Sequence, residues 1–247
     1  MTRAYQEDLA YIHDVGYRDY AFKSAPGILE ILAQNNIHHG LVVDLGCGSG
    51  LSALELTKSH YQVLGIDISE AMIAIARARV PRAEFRVESL FKVDIPVCHA
   101  VISIGECLNY LFDRDNNAQA LRQLFQRIYH ALTAGGVLIF DVAEPGQVIA
   151  GSRVKSFNEG EDWIVLVEKE EDPEKLILTR RIVSLRRVGQ YYRRNDELHD
   201  LQLYQTTDIT EQLQQVGFTV KTMRRYGNYQ LPPAHVAFIA CKSDIKT

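Results

Sequence analysis

The stretch that most restricts this chain is Leu41-Val42-Val43-Asp44-Leu45-Gly46-Cys47-Gly48-Ser49-Gly50. A short apolar run breaks into alternating glycines, and a helical pattern over Leu51–Lys58 follows at once. Glycine removes the Cβ where a chain turns sharply and lets a ligand touch the backbone. The helix behind such a turn offers unpaired N–H groups and a positive dipole end to an anionic group. A second apolar run, Tyr61–Ile66, ends at Asp67. A carboxylate there accepts hydrogen bonds only, which suits the two hydroxyls of a ribose. Strand, glycine turn, helix, strand and acid in this order predict a nucleoside site.

The rest of the chain fits a sheet built around that unit. Residues 1–36 read as helical, with Ser24 as a cap and Pro26 in the first turn of a helix whose apolar face is Ile28, Leu29, Ile31 and Leu32. Ser69 is placed to cap a helix carrying Met72, Ile73, Ile75 and Ala76. Residues 83–87 and 100–104 read as the third and fourth strands. Between Asp115 and Leu132, the residues Leu121, Leu124, Phe125 and Ile128 recur at helical spacing. Thr133-Ala134-Gly135-Gly136 then breaks the helix before a fifth strand, Val137–Val142. Such alternation predicts a parallel sheet covered by helices on both faces, with ligands bound beyond the carboxyl ends of its strands.

After Pro145 the pattern changes. Residues 163–170, 175–188 and 190–204 alternate without a helix between them and read as a three-stranded antiparallel meander, an insertion at about 150–205. Asp208–Val216 then reads as a helix closed by Gly217, followed by strands at Phe218–Arg225 and His235–Lys242. The expectation is one α/β domain over 1–247, with a helical segment at 1–36 and the β insertion.

Composition narrows the chemistry. The apolar fraction of 47% and charged fraction of 23% over 247 residues are ordinary for a globular chain. The four cysteines, Cys47, Cys98, Cys107 and Cys241, form no C-x-x-C pair, so reduced thiols and no metal site are expected. Histidines 38, 39, 60, 99, 130, 199 and 235 show no ligand spacing, and His235, on an apolar strand, reads as a satisfied core or pocket residue. The N-terminus lacks the apolar run of a signal peptide, and no stretch of about 18 apolar residues occurs, so a cytoplasmic protein is expected. The net charge of −4 disfavours nucleic acid as a partner. The basic stretch Arg180, Arg181, Arg186, Arg187, Arg193 and Arg194 follows an acidic one that includes Glu168, Glu170 and Glu171, which predicts cross-strand charge pairing.

Which nucleoside the turn takes depends on the glycine spacing. A dinucleotide fingerprint would place its third glycine at Leu51, and a phosphate-binding P-loop needs Gly-Lys-Ser/Thr, which is absent. Asp44-Leu45-Gly46-Cys47-Gly48-Ser49-Gly50 resembles, without departure, the nucleotide-binding signature of class I S-adenosylmethionine-dependent methyltransferases. The resemblance extends through Leu64-Gly65-Ile66-Asp67-Ile68 to Met72, through Glu88-Ser89-Leu90, through Ile104-Gly105-Glu106-Cys107-Leu108-Asn109-Tyr110, and through Gly135-Gly136 to Phe140.

The resemblance implies a Rossmann-like three-layer sandwich with a seven-stranded, mostly parallel sheet and a reversed last strand. It implies S-adenosyl-L-methionine as cofactor, S-adenosyl-L-homocysteine as product, and in-line methyl transfer to N or O of a small-molecule acceptor. It assigns the turn to Asp44, Gly46, Cys47, Gly48 and Gly50, the ribose to Asp67 and an adenine face to Ile68, with Met72 beside them. Ser89 and Leu90 fall at the adenine edge, and Ile104, Gly105 and Glu106 along the methionine arm. Glu106, read as an exposed carboxylate, is the candidate base or amine-orienting group. Asn109 and Tyr110 either line the pocket or serve as cap and core. Tyr17, Tyr20 and Phe22 lie in a segment that covers the cofactor in similar enzymes, although plain packing is the simpler reading. An Asn/Asp-Pro-Pro-Tyr motif, found in methyltransferases acting on nucleic-acid amino groups, is absent after the fourth strand. The meander is expected beside the mouth of the site, selecting a small substrate. Two alternatives stay open: an NAD(P)-dependent oxidoreductase, disfavoured by Leu51, and a catalytically silent S-adenosylmethionine-binding module.

Overall fold

The structure, a computed structural model, describes residues 5–113 and 116–243. Helices α1 (Glu7–Gly16) and α2 (Asp19–Gln34) come first. Then follow β1 (Gly40–Leu45), α3 (Leu51–Lys58), β2 (Tyr61–Asp67), α4 (Glu70–Arg79), β3 (Glu84–Val87) and β4 (Cys98–Ser103). A 3-10 turn, Cys107–Asn109, leads towards α5 (Ala118–Ala131) and β5 (Leu132–Ala143). The next four strands are β6 (Arg153–Glu159), β7 (Trp163–Asp172), β8 (Ile177–Val188) and β9 (Tyr191–Gln202). Helix α6 (Thr206–Val216), β10 (Phe218–Met223), the short pair β11 (Arg225–Tyr226) and β12 (Tyr229–Gln230), and β13 (His235–Lys242) complete the order.

Seven strands form the main sheet in the order β10-β13-β5-β4-β1-β2-β3. β13 runs antiparallel to both of its neighbours, and β1 to β5 pair in parallel. Strand pleating divides the core between two faces. Val43, Leu45, Leu138 and Phe140 pack on one side with Leu124 and Phe125 of α5 and Leu213 of α6. Val42, Val137 and Ile139 pack on the other with Ile28 of α2, Ala53 of α3 and Ile73 of α4. The result is a three-layer sandwich. β1 lies between β2 and β4, so its glycine turn opens where the strand order reverses, the usual ligand crevice of such sheets.

Local expectations hold at several ends. Ser69 accepts the Met72 N–H and caps α4, and Gly217, with φ of 114°, closes α6. Others are corrected. Ser24 caps nothing: α2 begins at Asp19 and carries Pro26 in its interior, while the Ser24 hydroxyl donates to the Tyr20 carbonyl at 2.6 Å. Burial of Ala25, Ile28, Ile31 and Leu32 along one face carries the helix past the proline. α5 starts at Ala118, capped by Asn117; Asp115 lies outside the described residues. The predicted break at 133–136 is absorbed into β5 as a register shift against β4, with Gly135 at φ of 71°.

The meander is a sheet of four antiparallel strands, because β6 adds to the three expected. Pleating also sorts its charges. On the outer face Arg153, Lys155 and Arg181 surround Glu168, the expected cross-strand pairing. On the inner face Arg186, Arg193 and Asn195 converge on Asp8 of α1, which is 1% exposed. Glu197 accepts the backbone N–H groups of Tyr5 and Gln6 at 2.9 and 3.0 Å. Leu9 and Ile12 bury against Trp163, Val165 and Ile182 of the same face. At its other end α1 is tied to the main sheet's layer, where Asp14 pairs with Arg79 of α4 at 2.7 Å. Helix α1 is therefore clamped between the two sheets. No helix among the described residues is long and apolar enough to cross a membrane.

Candidate active site

A cavity of about 660 Å³ lies over the carboxyl ends of β1, β2 and β4 and is roofed by α1 and the inner face of β7 and β8. Its volume is within the range of about 300–1,000 Å³ usual for ligand pockets.

The glycine turn forms one wall. Gly46 and Cys47 donate to the Ile66 carbonyl at 2.8 and 3.0 Å, which locks the turn to β2. Gly48 donates to Asp67 Oδ2 at 2.9 Å, and Ser69 donates to Asp67 Oδ1 at 2.8 Å. Burial raises the Asp67 carboxyl above its ordinary range, and these backbone N–H groups partly offset it. Asp67 lines the cavity, and an ionised carboxylate oxygen can accept more than one hydrogen bond. Gly48 and Gly105 sit at φ of 51° and 91°, and a Cβ on either would meet no protein atom within 4 Å. The space beside them is cavity.

Gly46 is constrained differently. At φ of 79°, its missing Cβ would lie 2.5 Å from Cys107 Sγ. Gly46→Ala is expected to destabilise the protein by about 1–3 kcal/mol, combining a left-handed non-glycine residue with overpacking. Chemical denaturation checks this, and an unchanged midpoint would mean that the Cys107 turn moves aside freely.

Of the residues that the resemblance assigns to the cofactor, all but one line this cavity. Asp44, Gly46, Cys47 and Gly48 face it from the turn, Asp67, Ile68 and Met72 from the next unit, and Ser89 and Leu90 from the loop after β3. Ile104, Gly105 and Glu106 face it from the loop after β4. Gly50 does not: it is the left-handed residue before α3, and a Cβ there would meet Ala76 Cβ of α4 at 3.0 Å. Its lack of a side chain serves helix packing.

Asp44 is 1% exposed, and its Oδ2 has no hydrogen-bond partner among the described residues. Burial, and then the nearby Asp67 charge, push its carboxyl up to about 7. A buried acceptor left open at the cavity wall fits a ligand that brings a donor.

Glu106 corrects the expectation of an exposed carboxylate. It is 8% exposed, at φ of 56°, and its carboxylate is gripped by Arg180 of β8 through both guanidinium arms, the longer contact being 2.9 Å. His235 of β13 lies 3.0 Å from its Oε2. Burial alone would raise this carboxyl, but the Arg180 charge and the hydrogen bonds from His235 and Arg180 outweigh it and hold it well below the usual range. Burial lowers the His235 pKa, yet its bond to Glu106 carries it above the ordinary value. The strained turn at Gly105 and Glu106 is held from beneath, since both backbone N–H groups point at the buried Asp141 carboxylate, 2.7 to 3.1 Å away.

Asn109 is a latch, donating to the Ala143 and Gln202 carbonyls and accepting the Ala143 N–H. Tyr110 lines the cavity with its hydroxyl 3.1 Å from that of Tyr5. Tyr17 and Tyr20 also face the cavity, whereas Phe22 is absent from its lining. His13 of α1, unmarked by any motif, lines it too; burial pulls its pKa down to about 4, which leaves the ring neutral.

A parallel sheet with one reversed strand, a glycine turn at the strand-order reversal and a carboxylate at the end of β2 define a nucleoside-binding enzyme of one class. Residues 42–136 match the family profile described as a methyltransferase domain, so the chain carries such a domain, and its relatives and fold support a class I S-adenosylmethionine-dependent methyltransferase. A methyltransferase-family protein of Geobacillus sp. (strain WCH70) is 28% identical over 187 residues, 72% of this chain and 74% of that one. The trans-aconitate 2-methyltransferase of Variovorax paradoxus (strain S110) is 34% identical over 134 residues, 52% of this chain and 48% of that one. The solved structure of a sugar N-methyltransferase from Streptoalloteichus sp ATCC 53650 shares the fold, with a TM-score of 0.77 at 19% identity over 99% of this chain and 98% of that one. These relationships set aside the oxidoreductase.

Proposed function

We propose that the cavity takes S-adenosylmethionine along the glycine turn and seats a small-molecule acceptor, methylated on N or O, against the inner face of β7 and β8. The observation that carries this reading is the continuity of one cavity from Asp67 and Gly48 to the insertion sheet. When bound, the cofactor supplies an electrophilic methyl group on a sulfonium centre.

Asp67 would hold the ribose hydroxyls, and Ile68 and Leu90 the adenine. The open acceptor on Asp44 would receive hydrogen bonds from the ammonium of the methionine arm, whose charge favours the ionised carboxylate. Gly48 and Gly105 leave the room that this arm needs. The chain's own contribution to rate is alignment and exclusion of water, and such orientation is worth about 7–11 kcal/mol. Glu106 orders the wall through Arg180 and His235, and as a strongly acidic carboxyl it is a poor proton acceptor. The neutral His13 ring is the better partner for an acceptor N–H or O–H.

Two relatives support a small acceptor, one being a trans-aconitate 2-methyltransferase and the other a sugar N-methyltransferase. Calorimetry with S-adenosylmethionine, S-adenosylhomocysteine and NAD is expected to give micromolar binding for the first two alone. A screen with labelled methyl donor over amines, amino sugars and carboxylic acids should then yield a methylated small molecule. Transfer confined to RNA or protein would sink the acceptor assignment.

A further inference from the structure

The far end of the cavity holds an imbalance of charge. Lys169 of β7 and Arg180 of β8 are directly opposite in the strand register, and both face the cavity. Like charges placed so are destabilising unless an anion lies between or beside them. Only one is provided for. Glu106 takes both arms of Arg180, and no carboxylate among the described residues is within ion-pair distance of the Lys169 ammonium. Glu171, the next inward position on β7, is committed to the Gly146 and Val148 N–H groups at 2.9 and 3.0 Å. Asp141 is committed to Gly105, Glu106 and Tyr226. His235 also leans on Glu106, and the Tyr110 hydroxyl accepts from Arg180 at 3.3 Å.

A second sign points the same way. Arg180 Nε is a buried donor with no acceptor among the described residues. Burial lowers the Lys169 pKa, the Arg180 charge adds to it and the Glu106 charge offsets only part, so the fold holds this lysine at a cost. Next to the pair, Val167 and Ile182 face each other in register and give the chamber an apolar floor.

We infer that Lys169 anchors an acidic group, carboxylate or phosphate, on the methyl acceptor, while Val165, Val167 and Ile182 carry the acceptor's apolar body. This rests on the acceptor chamber proposed above. The anion would complete the charge count that Glu106 leaves unfinished, and Lys169 would act as a specificity residue that does not touch the cofactor.

The test uses the full chain saturated with S-adenosylhomocysteine, with citrate and inorganic phosphate as separate probes and triethyl citrate and trimethyl phosphate as uncharged controls. One of the two anions is expected to bind the native protein and to lose about tenfold or more of its affinity in Lys169→Met, with Lys169→Arg retaining most of it. Citrate binding alone assigns a carboxylate, and phosphate binding alone assigns a phosphate. Added salt should weaken the response in proportion to this one contact. S-adenosylhomocysteine affinity should be equal in all three proteins, and the ligand-free melting temperature of Lys169→Met should match or exceed that of the native protein. Binding of neither anion, equal anion binding in Lys169→Met, or a lower melting temperature that assigns the lysine to the fold would overturn the inference. Failure of the native protein to bind S-adenosylhomocysteine would instead overturn the cofactor reading beneath it.

Discussion

Replacing Asp67 with alanine is expected to weaken S-adenosylmethionine binding by about 100-fold or more. Each hydrogen bond to a charged acceptor is worth roughly 1.5–3 kcal/mol, and two ribose hydroxyls would lose their acceptor together. The same carboxylate receives the Gly48 and Ser69 N–H groups, so alanine also releases the turn from β2. Asp67→Asn separates the two effects. It keeps one acceptor for the backbone and forfeits the ionised pair, so its melting temperature should fall less than that of the alanine variant while affinity still drops. Calorimetry reads both, and native affinity in Asp67→Ala would remove the ribose from this residue.

The second large effect concerns stability. Glu106→Gln is expected to cost about 3–5 kcal/mol, because it leaves the buried Arg180 guanidinium uncompensated with Lys169 opposite it. For a chain of this size that corresponds to a fall of roughly 10 °C in melting temperature. The double variant Glu106→Gln with Arg180→Met should recover much of the loss, since removing both charges avoids the unpaired one. The pH dependence has a defined sign. The Glu106 carboxyl is held below its unfolded value, so its contribution is complete above about pH 4.3 and fades as pH falls through the depressed folded value. Denaturation midpoints of the native and Glu106→Gln proteins should therefore draw closer together as pH falls from about 4.3 to 3. Parallel curves across that range would mean that Arg180 finds another partner.

The candidate cofactor half of the site was legible because its logic is local. Gly46, Gly48 and Asp67 stand in one strand-turn-helix-strand unit, and spacing along the chain there translates directly into proximity. The proposed acceptor half is assembled from distant segments, and no spacing rule joins Glu106 to Arg180 or Asp8 to Arg193. Even so, signals were present. Asp141 stands inside the apolar run of β5, and a charged residue in a buried strand needs partners that the chain must provide. The pleat would have divided Arg180, Arg186 and Arg193 from Arg181, Arg187 and Arg194, marking one set for the inner face. Glu106 was misjudged as exposed because a strand end in isolation suggests solvent, whereas the insertion sheet covers it. α2 was shortened because a proline is usually a boundary; here the buried face outweighs one missing hydrogen bond.

The double clamp on α1 has a consequence for how acceptor preference can change. Its Asp8 end belongs to the insertion sheet and its Asp14 end to the helix that follows Asp67, while Leu9 and His13 between them wall the cavity. The proposed acceptor wall and the proposed cofactor wall are thus coupled through one short helix. A chimera that imports residues 153–202 from a relative while keeping the native 5–16 would mismatch both clamps and the shared wall. Exchange of acceptor selectivity therefore requires the two segments to travel together, although some 140 residues of sequence separate them, roughly the length of a whole domain.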